Sequence, residues 1–381
     1  MASIRRRGDR WQVLYRDPSG RQRARTFDRL GDARRYAAST DTELARGDWL
    51  DPKLAATTFA QWAEIWSAGR VHLRESTRVR DESVMRHLVL PYFGDRRLGH
   101  VLSADVQAFI AGLQSDSKSP ATIRKAFQLA AAVFSSAVDS DLIGRTPCRG
   151  VKLPPETRSE MRFLSQAEVA DLIGVIDARF QNLVLTAAYT GLRFGELAGL
   201  RVGRLNLLAR TATVDETCSE VAGRIVFGEP KTSASRRTIT LPRFLVESLA
   251  EHMAARPANQ SDLVFQAPDG GPLRRTTFRE RFWLPAVRAS VEEPCRFHDL
   301  RHTHVALLIA QSEHPKVIQQ RLGHASIRTT LDTYGHLFEG LDEAAADRLD
   351  AGFHQLPVDR MLTEPATRVT ELHPQTQENP S

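Results

Sequence analysis

Six side chains spread over about 140 positions constrain this chain more than anything else in it. Arg193 stands in TGLRFGEL, Lys231 in EPKTSASRR, His298 and Arg301 in FHDLRHTH, and His324 in RLGHASIRTTLDTYGHL, ten residues before Tyr334. Any fold that uses them together must gather segments far apart in the chain. Two arginines grip the non-bridging oxygens of a phosphate as planar forks. Two histidines add hydrogen bonds to those oxygens. A lysine can give up a proton, which a guanidinium cannot. A tyrosine hydroxyl can attack phosphorus and become a covalent phosphotyrosine. Together they describe phosphoryl transfer without a metal and without a nucleotide-binding loop.

Each residue also has an ordinary reading. Leu192, Leu197 and Leu200 can face a core while Arg193 faces out, as on any surface helix. Glu196, one helical turn on, is expected to orient a neighbouring cation and not to be catalytic. Lys231 is one of six lysines beside 46 arginines. Its retention in a polar turn between two strands suits a titratable ammonium. His298 and Arg301, three apart, share a helix face. His302 and His304 follow, but no HExxH string occurs, so neither a metal nor any other cofactor is expected. Gly323 ends a helix and leaves His324 at the start of the next segment. A lone tyrosine is usually half-buried core, yet Tyr334 closes the set and is one of only five.

At 381 residues the chain has room for two or three domains. Cys148, Cys218 and Cys295 are far apart and lack metal-ligand spacing, which fits a reducing cytoplasm. No apolar run approaches membrane-spanning length. Charge is uneven. Residues 1–36 carry 11 arginines against four aspartates, while residues 341–381 carry eight acids against three arginines. A basic arm of that kind is either a phosphate-binding surface or a solvated tail.

Trp11, Val13 and Tyr15 alternate like a strand, Asp17-Pro18-Ser19-Gly20 reads as a turn, and residues 21–27 as the returning strand. Residues 31–46 read as a helix. On the returning strand Arg21, Arg23 and Arg25 fall two apart and are expected on one face. Residues 48–58 form a linker. Phe59, Trp62, Ile65 and Trp66 mark a helical apolar stripe, as do Ile123, Phe127, Ala130, Val133 and Phe134. Ser103 is the expected cap of a helix between them. A proline-bearing linker covers 144–155. Beyond it Ser165 and Glu168 form a capping box. TATVDETC, RIVFGEP, TITLP and LVFQ read as strands of one small antiparallel sheet. Residues 341–353 have a helical apolar period, and 355–381 have a disordered composition.

The order Arg, Lys, His-x-x-Arg, His, Tyr, with the strings TGLRFGEL, HDLRHTH, LGHASIRTT and TYGHL, resembles the tyrosine recombinase family of phage-integrase type. The resemblance implies an α+β, mainly helical chain. Its parts are an arm-type DNA-binding domain at 1–50, a helical core-binding domain at 57–146, a catalytic domain at 160–345 and a partly disordered tail at 346–381. It implies that Arg193, His298, Arg301 and His324 bind the scissile phosphate, that Lys231 is the general acid and that Tyr334 is the nucleophile. It implies cleavage and rejoining of double-stranded attachment sites by a homotetramer on DNA. The setting is a bacterial cytoplasm, with a DNA-bending protein and an excisionase as accessory partners, for a phage or another mobile element. Arg5, Arg6, Arg7, Arg21, Arg23 and Arg25 are the arm candidates. Competing readings are a Xer-like or type IB topoisomerase-like strand transferase and a catalytically silent DNA-binding protein.

Overall fold

Alternation at Trp11, Val13 and Tyr15 builds the middle strand of a three-stranded antiparallel sheet: β1 (Ser3–Arg7), β2 (Arg10–Arg16) and β3 (Gln22–Phe27). The computed structural model describes residues 2–46, 49, 51, 54, 56–156, 161–256, 258–292, 294–338 and 341–354. Strand β1, SIRRR, has no pattern of its own; it is extended because it pairs with β2, Ile4 opposite Val13. The turn closes with the Gly20 amide donating to the Asp17 carbonyl, Gly20 at φ +80°. Helix α1 (Leu30–Arg46) packs Ala33 and Ala37 against Val13 and Tyr15.

The register puts Arg23 and Arg25 on one face, as the spacing expects, and shows which face it is. Arg23 pairs across β2 with Tyr15, and Arg25 with Val13. Residues opposite one another point the same way, so Arg23 and Arg25 lie on the face that α1 covers. Arg23 is paired with Asp17 at 2.8 Å and Asp51 at 2.6 Å. Arg25 lies 4.8 Å over the Tyr36 ring. Arg21 precedes the strand. Arg6 shares this covered side with Trp11. The opposite face carries Arg5, Arg7, Arg10 and Arg16 around Gln12, whose carbonyl accepts from Arg5 Nε at 2.9 Å.

The next segment is helical: α2 (Phe59–Ala68), α3 (Glu75–Val84), which runs through a wide turn at Met85–Val89 into α4 (Leu90–Phe93), then α5 (Ser103–Ser115) and α6 (Pro120–Asp139). Phe59, Phe93, Phe109 and Phe134 form its centre. Ile65, expected inside, is 59% exposed, because Ala63 takes the inward position. Ser103 is inside α5; the Leu102 amide is capped by the Asp105 carboxylate instead.

The chain divides into two compact units, Met1–Glu160 with Val221–Gly223, and the remainder. The second contains α7 (Gln166–Val175), α8 (Ala178–Thr190), α9 (Phe194–Ala198), β4 (Leu205–Asn206), β5 (Thr211–Val214), β6 (Thr217–Val221) as far as Glu220, β7 (Arg224–Gly228), β8 (Arg237–Thr240) and α10 (Arg243–Ala254). Then come α11 (Arg275–Phe278), α12 (Leu284–Ser290), α13 (Asp299–Ala310), α14 (Pro315–Leu322), α15 (Ile327–Tyr334) and α16 (Leu341–His354). The expected capping box at Ser165 is present. The strands form two sheets, β4-β5-β8 and β6-β7, where one was expected. Residues 263–266 are not a strand; Leu263 makes a single bridge to Arg201. The core of this unit surrounds Phe180, Leu183, Leu245, Trp283 and Leu300. A smaller cluster of Val305, Ile309, Ile318, Leu322 and Tyr334 ties α13, α14 and α15 together. Helix α16 runs across the boundary expected at 345, and the tail from 355 lies outside the described residues.

Candidate active site

Helices α8 and α14 both end in a left-handed glycine, Gly191 and Gly323, each at φ +66°. A helix C-terminus leaves carbonyls without intrahelical donors and carries partial negative charge. Arginines fill that role here. Arg301, near the start of α13 and 3% exposed, donates from Nη1 to the Gly191 carbonyl at 2.6 Å and from Nη2 to the Leu322 carbonyl at 2.7 Å. Arg237, on β8, donates from Nε to the Arg321 carbonyl at 2.6 Å. Two guanidiniums therefore fix the end of α14, two residues before His324.

The glycines explain where Arg193 sits. After the turn at Gly191 the chain starts α9 with Arg193 as its N-cap. Glu196 reaches back to the Arg193 amide at 2.9 Å and pairs with its guanidinium at 2.8 Å. The same buried carboxylate accepts from Arg237 at 3.1 Å. Burial would raise its pKa, but Arg237 and then Arg193 outweigh that and hold it ionised. The sequence pointed to Glu196 as a holder of a cation; Arg237, its second partner, carried no signal.

The two candidate histidines are held neutral. His298 caps α13, and burial pushes its pKa down to about 4, with His302, Arg301 and Arg193 adding to the effect. His324 is also pushed down to about 4, by burial and then by Arg301 and Arg193. Its ring bonds Thr330 Oγ1 at 2.9 Å, and its carbonyl accepts from Gln319 at 2.9 Å. Neither Thr330 nor Gln319 stood out in the sequence. Arg301 is lowered to about 9 by burial and by Arg193, and remains charged at neutral pH.

Tyr334 ends α15 and is 2% exposed. Burial raises its pKa, while Arg301 and Arg193 act against the rise. Its hydroxyl lies 2.8 Å from His302 Nδ1. In the sequence His302 stands out only as one of several histidines close together and carries no role. Arg193 and Arg301 thus act on His298, His324 and Tyr334 alike. Lys231 is exposed on the loop between β7 and β8, ahead of the short turn Ser233–Ser235. Four arginines, Arg193, Arg237, Arg296 and Arg301, outnumber the carboxylates Glu196 and Asp299 beside them, so the cluster favours an anion.

Known proteins resemble this chain along most of its length. The model of the phage integrase family matches residues 162–340, and that of the phage integrase N-terminal SAM-like domain matches residues 58–114. The ICEBs1 integrase of Bacillus subtilis (strain 168) is 30% identical over 349 residues, spanning 88% of this chain and 94% of that protein. A structure of the Tn1549 transposon integrase in complex with a circular intermediate DNA is similar with a TM-score of 0.67 at 20% identity. That match covers 77% of this chain and 99% of the other. A lambda integrase tetramer bound to a Holliday junction is similar with a TM-score of 0.56 at 18% identity, covering 85% and 95%. At these identities the two structures establish the fold.

Two outcomes follow from the geometry. A Cβ at Gly191 would lie 2.7 Å from His304 Cδ2, on a backbone at φ +66°. Gly191→Ala is expected to cost about 1–3 kcal/mol in urea unfolding and to displace the carbonyl that holds Arg301. A stability within error of wild type would mean that the turn is not constrained. Separately, His298 and His324 have folded pKa values below the ordinary 6.5. Between about 4 and 6.5 the unfolded chain binds more protons than the native state, so stability falls as pH drops through that window. Tm measured from pH 7 to 4.5 should decline, and replacing both histidines by asparagine should flatten the decline.

Proposed function

We infer the reaction from one premise: this chain belongs to the phage integrase family. It is a site-specific tyrosine recombinase. Tyr334 attacks a DNA phosphate, giving a 3′-phosphotyrosine and a free 5′-hydroxyl. Arg193, Arg301, His298 and His324 stabilise the charge that develops on the phosphoryl oxygens. Lys231 protonates the departing 5′-oxygen from its exposed loop. A 5′-hydroxyl of a partner duplex then attacks the phosphotyrosine, so the phosphoester energy is conserved and no nucleotide is consumed. The observation that carries the assignment is the convergence on Arg301, which bonds the Gly191 carbonyl two residues before Arg193 and the Leu322 carbonyl two residues before His324, while its neighbour His302 lies 2.8 Å from the Tyr334 hydroxyl.

The chain is read as an arm domain at 1–50, a core-binding domain at 57–146, a catalytic domain at 160–345 and a tail at 346–381; the family matches at 58–114 and 162–340 support the second and third of these. Double-stranded attachment sites are the substrate, and a homotetramer on DNA is the working assembly, supported by the lambda integrase tetramer bound to a Holliday junction. Helix α16, with Leu349 76% exposed, is a candidate for contact between protomers. A DNA-bending protein and an excisionase are the accessory partners, and the setting is the cytoplasm of a bacterial host. Among the described residues no helix is long and apolar enough to cross a membrane. In the arm, Arg5, Arg7, Arg10 and Arg16 are the phosphate contacts in place of Arg23 and Arg25, because their face is free of α1.

Tyr334→Phe is expected to abolish the covalent protein–DNA adduct, resolved on denaturing gels, while DNA affinity stays within about twofold. An adduct formed by the phenylalanine variant would assign the nucleophile elsewhere. Replacing Arg5, Arg7 and Arg16 by glutamine should lower the slope of log affinity against log salt by about 3, since each lost phosphate contact removes about 0.9. An unchanged slope would take this face out of the DNA contact.

A further inference from the structure

We propose that His302 is a further catalytic residue, the base that takes the phenolic proton of Tyr334 during cleavage and returns it during rejoining. This rests on the reading of Tyr334 as nucleophile. The observation is geometric: His302 Nδ1 lies 2.8 Å from the Tyr334 hydroxyl oxygen, with ring centroids 5.7 Å apart. With its own proton on Nε2, the imidazole accepts the phenolic O–H at Nδ1.

The chemistry at this tyrosine requires an acceptor. Burial raises its pKa, and Arg301 and Arg193 act only against that rise. At neutral pH the hydroxyl is therefore protonated, and a phenol is a weak nucleophile. His298 is the other imidazole nearby. Its ring stands 5.1 Å from His302, perpendicular to it, and its assigned work is on the phosphate. His302 suits the proton instead. It is half-buried, and burial lowers its pKa. Asp299 opposes that shift, while Arg296 and Arg301 reinforce it. The groups facing it are Arg296, His298, Asp299 and Arg301 from α13 and its lead-in, and Tyr334 from α15. Asp299 is itself held by Arg296 at 2.8 Å, which blunts its pull on the imidazole. The ring is thus neutral near pH 7, the state that accepts a proton.

The step balances. The Tyr334 oxygen–phosphorus bond forms as the phosphorus–O5′ bond breaks. The phenolic proton moves to His302 Nδ1, and Lys231 supplies the proton that the departing O5′ takes up. In rejoining, the incoming 5′-hydroxyl gives its proton to the now neutral Lys231 amine and displaces the tyrosine oxygen, which recovers its proton from His302.

The test is single-turnover cleavage of a nicked suicide duplex carrying the core site mapped with the wild-type protein. His302→Gln is expected to cleave about 10²-fold more slowly at pH 7, with DNA binding unchanged. Its rate should climb about tenfold per pH unit up to pH 9, as hydroxide replaces the missing base, while the wild-type rate levels off. A bridging 5′-phosphorothiolate, whose leaving group needs no proton, should rescue Lys231→Arg and leave His302→Gln slow. A His302→Gln rate equal to wild type, a loss of equal size at every pH, or rescue by the thiolate would each overturn the assignment. An adduct absent from wild type, or present in Tyr334→Phe, would remove the nucleophile reading and the base with it.

Discussion

The C-terminus of α14 is the point on which the site depends. Its last carbonyls face two guanidiniums, Arg301 on Leu322 and Arg237 on Arg321. Arg301 also holds the carbonyl of Gly191, so one buried cation joins the ends of α8 and α14 to the start of α13. These are charge-assisted bonds to carbonyls that carry the negative end of a helix dipole. They set the position of Arg193 on one side and of His324 on the other. Arg301 is thus structural and chemical at once.

The balance of charge gives the site its selectivity for anions. Glu196 is shared between Arg193 and Arg237, which leaves the guanidiniums fixed in direction but in excess. Burial and this excess keep His298 and His324 neutral. In the proposed reaction a phosphate diester would bring the compensating charge and accept hydrogen bonds from their N–H groups. The same cations act on Tyr334, whose hydroxyl is engaged by His302.

The arm sheet separates two uses of arginine. On the face that α1 covers, Arg23 and Arg25 extend a small core through ion pairs and stacking on Trp49 and Tyr36. On the other face Arg5, Arg7, Arg10 and Arg16 surround a flat polar strip. Spacing by two told which arginines share a face, but not which face the helix covers. That was decided by the β2–β3 register, which sets Arg23 opposite Tyr15 and Arg25 opposite Val13, on the side where Ala33 and Ala37 of α1 pack.

By itself the sequence determined the family pattern of Arg193, Lys231, His298, Arg301, His324 and Tyr334, the helical stripes of the middle segment, and the caps at Ser165 and Gly323. Each of those features is written in short strings: a period, a cap or a motif such as HDLRHTH occupies a few residues, and the six-residue pattern is such strings in order. It did not determine that Arg237 shares Glu196, that Thr330 holds His324, or that His302 meets Tyr334 across 32 positions. Nor did it set the side of the arm sheet that α1 covers, or show that Leu263 makes a bridge and not a strand. Such choices rest on pairing between distant segments, where one buried charge or one strand register decides which neighbours a side chain finds. Only the folded chain brings those neighbours together.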